Sequence, residues 1–193
     1  MMRKLAVLIF ATCMASSSAF ATVIEKTTYR PFLVHGKTAR EIYQSVITHS
    51  RKKDGYHTFA TTDVSLKPKI KLVTKPQCKV TQASITARFI VNLPKLANEA
   101  ALAPDLRRDW QSFAQQLKHH EEHHRDIWLG CAADIASAAT SLAADDCTRF
   151  ATKFEARIKQ AQRSCSDKNV AFDDEAQRHV SDIPFIERAL QNR

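Results

Sequence analysis

A chain of 193 residues with 44% hydrophobic and 25% charged side chains has enough apolar surface for one packed domain and too little length to suggest two. Its formal charge of +9 comes from scattered basic residues without interleaved aromatics, which argues against a nucleic-acid-binding protein. No segment approaches the ~20 apolar residues of a membrane span.

The first residues set the compartment. Arg3 and Lys4 precede an apolar run from Leu5 to Met14, and Ala19-Phe20-Ala21 is a small-x-small cleavage site. Residues 1–21 therefore read as a secretory signal, with a single mature domain over 22–193 in the periplasm or outside the cell. Cys13 leaves with the signal, since Phe10-Ala11-Thr12 is a poor lipidation context. Removing Arg3 and Lys4 leaves 27 basic against 20 acidic residues, a net +7 that suits an anionic envelope surface. Four cysteines survive: Cys78, Cys131, Cys147 and Cys165. In an exported chain this even count predicts two disulfides, with three connectivities that spacing alone does not separate.

Val23, Ile24, Tyr29, Phe32 and Val34 predict a strand over 22–34, broken or held at a sheet edge by Pro31. Gly36 marks a turn. Thr38, with Glu41 three residues on, is a capping box opening a helix that buries Ile42, Val46 and Tyr43. Lys52-Lys53-Asp54-Gly55 ends it. Between residues 56 and 93, Leu66, Pro68, Ile70 and Leu72 alternate with lysines, and Ile85, Ala87, Phe89, Val91 and Leu93 alternate with mostly polar residues. Both runs predict strands with one wet face, turning at Lys75-Pro76-Gln77 and closed by Pro94. From 105 to 183 there is no proline and only Gly130, which predicts a helix over 105–138 and a second capped near Asp145 or Asp146. The second carries a stripe of Cys147, Ala151, Phe154, Ile158, Ala161 and Cys165. The expected fold is α+β: a small antiparallel sheet packed against the long helix and a second, antiparallel one.

The long helix carries His119-His120-Glu121-Glu122-His123-His124. From His120 it reads H-E-x-x-H, in which two imidazoles share one helix face and the Glu can activate a metal-bound water. Chance would give three such fixed positions in about one chain in seventy-five of this composition. Leu106, Trp110, Phe113, Leu117, His120, His124, Ile127 and Cys131 form one stripe at steps of three and four. Glu121 falls about 70° from its centre and His119 about 130° away, so the register is His120/His124 and not His119/His123.

A catalytic zinc needs a third protein ligand. A glycine three and a histidine six residues after His124, which one class of zinc peptidases would require, are absent. Glu155 is available from the following helix but lies off its stripe. His179 is the remaining candidate, with acidic residues such as Asp173 or Asp174 next in line.

The chain resembles the bacterial family of predicted secreted zinc-dependent proteases known as domain of unknown function 922. The likeness rests on Val34-x-Gly36-x-Thr38, Cys78-x-Val80, Leu93-Pro94 before a Trp110-containing helix, His120-Glu121-x-x-His124-x-Asp126-Ile127, Asp146-Cys147 and Asp174-x-x-x-x-His179, in that order over nearly the whole mature chain. In the last piece Asp173, Gln177 and Val180 replace the family's tyrosine, threonine and glycine. The resemblance implies an exported zinc peptidase acting on peptides or proteins, with His120, His124 and the C-terminal His179 as ligands, Glu121 as base, and Cys78 paired with Cys147, leaving Cys131 with Cys165. The alternatives from other classes are a non-catalytic periplasmic zinc-binding protein and a structural envelope protein.

Overall fold

The computed structural model describes residues 20–53 and 56–191. Residues 1–19, with Cys13 and most of the expected signal, lie outside the described residues, as do Asp54 and Gly55. In order the chain forms β1 (Phe20–Val34), α1 (Ala39–His49), the two-residue strands β2 (Lys52–Lys53) and β3 (Tyr56–His57), β4 (Thr61–Val73), β5 (Cys78–Leu96), α2 (Pro104–Ser141), β6 (Ala143–Ala144), α3 (Cys147–Gln177) and α4 (Pro184–Gln191), with 3-10 turns at Glu99–Ala101 and Val180–Asp182.

The α+β architecture is as the sequence predicts, but the main sheet is mixed rather than antiparallel. Its order is β1-β5-β4, with β6 beside the start of β5. β4 and β5 pair antiparallel across their tight connection, whereas β1 runs parallel to β5 from Phe20 opposite Gln82 to Val34 opposite Leu96. The intervening α1 and β4 supply the long connection that parallel pairing demands. Pro31 sits within an unbroken β1, which occupies an edge where a missing N–H is tolerated. Pro94 does not end β5. Beyond Asn92, opposite which β4 begins at Thr61, β5 has a neighbour on one side only, so a proline there interrupts no second ladder.

The helix starts follow their local chemistry. Thr38 accepts from the Glu41 amide at 3.2 Å while the Glu41 carboxylate takes the Thr38 amide, the expected capping box. Pro104 opens α2 at its first turn, where no N–H is needed, and Asp146 caps α3 by accepting from the Arg149 amide at 2.7 Å.

Two apolar cores flank the middle of α2. Toward its start, Leu106, Trp110 and Phe113 pack with Ile42 and Val46 of α1 and Phe185 and Ile186 of α4. Toward its end, Ala132, Ile135, Ala136 and Ala139 lie on Ile85, Ala87 and Phe89 of β5 and on Phe150 of α3. α4 was not expected from the sequence, yet its Phe185 is fully buried and stacks on Phe113 at 4.9 Å. Between the two cores α2 meets the far end of α3.

Candidate metal centre

The two long helices run antiparallel, as their cross-links show: Cys131 is bonded to Cys165, His124 meets Asn169, and His120 meets Asp173. Falling numbers on α3 thus answer rising numbers on α2. The second disulfide, Cys78–Cys147, ties the start of α3 to the start of β5, with Cα atoms 5.1 Å apart against 6.2 Å for Cys131–Cys165. Both cross-links fit an oxidising, extracytoplasmic compartment, and among the described residues no helix is long and apolar enough to cross a membrane.

At the crossing, three donor atoms converge. His124 Nε2 lies 2.8 Å from Asp173 Oδ1 and 3.0 Å from His120 Nε2, and His120 Nε2 lies 3.1 Å from the same carboxylate oxygen. Bonds of ~2.0–2.1 Å in tetrahedral geometry would hold such atoms about 3.3 Å apart. The observed spacing is therefore within a few tenths of an ångström of what a metal ion requires, and His120, His124 and Asp173 form a group that can hold one.

Residues around the group aim its donors. His124 Nδ1 donates to Asn169 Oδ1 at 2.7 Å, and Asn169 Nδ2 donates to the Cys165 carbonyl at 2.7 Å. The proton held on Nδ1 leaves the Nε2 lone pair facing His120 and Asp173, the outer-shell arrangement that fixes a ligand imidazole's tautomer. Phe172 stacks on the His120 ring at 4.7 Å and meets the His124 ring edge-on at 5.2 Å. The side chains of His120 and His124 are 25% and 12% exposed, so solvent reaches the group from one side.

Glu121 faces the sheet. It is 4% exposed, Thr62 Oγ1 of β4 donates to its backbone carbonyl at 3.0 Å, and its Oε2 is buried without a hydrogen-bond partner among the described residues. Burial pushes its carboxyl above the usual 4.5, with Thr62 and the imidazoles of His124 and His120 only partly offsetting it. For His124 burial works downward, but the contacts to Asp173 and Asn169 outweigh it and hold the ring above 6.5. A buried carboxyl with an orphan oxygen beside three converging donors is what a metal with a bound water would complete.

The register expected on the helix is the one observed: His120 and His124 enter the group, whereas His119 and His123 stay exposed. Glu122 turns the other way, accepting from the Tyr29 hydroxyl of β1 at 2.6 Å. His179 is placed elsewhere. It precedes the 3-10 turn after α3, 69% exposed, with Glu175 and Asp182 at 3.6 and 3.5 Å; six residues after Asp173, it would fall about 120° away around even a continued α3 and so not face α2. Glu155 is also exposed and pairs with Lys159 at 2.6 Å. Asp173 takes the third place. Asn169 was missed by sequence reading, although Cys165, Asn169 and Asp173 continue the α3 stripe at steps of four.

Fold and site thus define an α+β domain with two histidines and one carboxylate that could hold a metal ion where its two long helices cross. The family model for a bacterial protein of unknown function (DUF922) matches residues 29–180, and the chain belongs to that family. Comparison with curated proteins and with solved structures gave no match.

Proposed function

We propose that the chain is an exported zinc-dependent peptidase in which His120, His124 and Asp173 hold the metal and Glu121 is the general base. The observation that carries this reading is the buried, unpartnered Glu121 carboxylate oxygen on the residue next to His120. A metal-storage site has no use for a desolvated carboxylate at that place; hydrolysis does. Two imidazoles and one carboxylate suit zinc and leave a coordination position open for water. Bound there, zinc would lower the pKa of its water toward ~7 and polarise a scissile carbonyl.

This chain's own residues do the rest. Asn169 holds His124 in the tautomer that ligates, and Phe172 confines both rings. Glu121 takes the proton of the attacking water at a carboxylate oxygen and then passes it to the leaving amine, a role its raised pKa suits because the proton is held until the amine can accept it.

The test is a peptide-library digest with wild type and Glu121→Gln side by side, with metal content measured on both. Glutamine keeps shape and hydrogen bonding but cannot take the proton. About one zinc per chain in each protein and hydrolysis reduced by at least ~10²-fold in the variant is the expected result. Unchanged hydrolysis would leave a metal-binding protein without this chemistry.

A further inference from the structure

Strand alternation gives the main sheet two faces. The inner face, with Ala83, Ile85, Ala87 and Phe89 of β5, is buried under the helices. The outer face is different, and the register shows what stands on it. Lys26 of β1, Arg88 of β5 and Ser65 of β4 share one row; Ile24, Thr86 and Lys67 share the next; Thr22, Ser84 and Lys69 the one after; and Lys71 lies opposite Gln82. Arg30 stands on the same face at its other end, beside Asn92 and Thr61.

All six cations of these outer positions are exposed, and none is ion-paired with a carboxylate among the described residues. The one carboxylate at these positions, Asp63, is already bonded to Arg51 at 2.6 Å. With ~3.3 Å per residue and ~4.8 Å between strands, the band from Lys26 to Lys71 is about 20 Å long and 10 Å wide.

We infer that this outer sheet face docks the protein onto the anionic headgroup plane of a phospholipid bilayer. The hydrogen-bonded ladder holds its lysines on one side of a fixed framework, and their long stems let the ammonium groups reach a common plane of phosphates despite the sheet's twist. It does not fit single-stranded nucleic acid, because the one aromatic among the in-register outer positions 20–30, 61–71 and 82–92 is Phe20, opposite Gln82, which belongs to the expected signal and not to the mature chain, leaving nothing on which bases could stack. Ile24, 47% exposed amid the cations, adds apolar area at the depth where lysine stems insert. Docked this way, the chain would turn its helix layer, with His120 and His124, away from the lipid.

The experiment is co-sedimentation of the mature chain with vesicles of phosphatidylglycerol and phosphatidylcholine, and with phosphatidylcholine alone, at low and physiological salt. Binding only to the anionic vesicles, weakened by salt, is expected. Lys67→Gln/Lys69→Gln/Lys71→Gln should bind on the order of a hundredfold more weakly, about a factor of five per lysine. Lys153→Gln/Arg157→Gln/Arg163→Gln on α3 makes the same charge change elsewhere and should bind like wild type. Unaltered metal uptake verifies folding of each variant, and Lys26→Gln/Arg88→Gln on the neighbouring strands replaces the β4 triple should it not fold. Equal binding to neutral vesicles, equal losses in the α3 control, or duplex DNA bound as tightly as the anionic vesicles would each overturn the proposal.

Discussion

Asp173 and His179 differ by six residues and by everything that matters for ligation. Asp173 Oδ1 touches both imidazoles, while His179 stands in solvent between two carboxylates. Asp173→Asn should therefore cost most of the stoichiometric zinc and His179→Ala almost none, measured as metal per chain after gel filtration; the reverse ranking would return the third ligand to the C-terminal histidine. The protons at this site point the same way in sign. In the metal-free chain both Glu121 and His124 titrate above their usual values of 4.5 and 6.5. For each, the folded chain holds a proton that the unfolded chain has already lost, so stability contributed below the ordinary value disappears as pH rises through the raised one. Zinc asks the opposite, because a ligating imidazole must be neutral. Metal-free protein should be more stable at about pH 6 than at about pH 8, and zinc affinity should rise over the same interval; parallel trends would contradict this assignment.

The elements place those residues. Cys131–Cys165 joins α2 to α3 seven residues from His124 and four from Asn169, so it fixes the helix crossing on which the metal group depends. Cys78–Cys147 anchors α3 at its other end, against the sheet. Loops of 34 and 69 residues give similar entropic contributions, about 4 kcal/mol each in the chain-entropy account. The Cys131→Ser/Cys165→Ser variant should thus lose stability to denaturant much as Cys78→Ser/Cys147→Ser does, yet lose far more zinc affinity. Comparable affinities would show that helix packing alone holds the crossing. The same geometry explains what could be read from the sequence. His120, Glu121 and His124 were legible because one helix's periodicity sets their directions. Asp173 and Asn169 lie on a stripe that was legible along α3, but that they meet His120 and His124 depended on where the second helix crosses the first, which no local pattern encodes. The parallel partner of β1 was hidden for the same reason. By contrast α4 left a local signal, Pro184 before Phe185-Ile186 and then Ala189-Leu190, that the preceding proline-free stretch overshadowed.

At the scale of the whole molecule, α2 is a beam shared by two cores, one built with α1 and α4 and the other with the sheet and α3. The metal group sits between them, where apolar packing thins and a half-exposed carboxylate, two histidines and the buried charge of Glu121 take its place. The desolvated Glu121 carboxylate, with the Asp173 carboxylate near it, weakens such a junction unless a cation is present, so metal binding and folding should be linked. A metal that binds only the folded chain stabilises it by RT ln(1 + [L]/Kd), about 2.7 kcal/mol at a free concentration a hundred times Kd. For a domain of this size that corresponds to a rise in Tm of roughly 5–10 °C. Adding zinc to metal-free protein should raise Tm by that amount, and chelation should reverse it. Asp173→Asn should flatten the response, whereas Glu121→Gln should preserve it and raise the metal-free Tm by removing a buried ionisable group. A zinc-induced shift that survives Asp173→Asn unchanged would mean that the ion binds elsewhere and that the helix crossing is not where metal and fold are coupled.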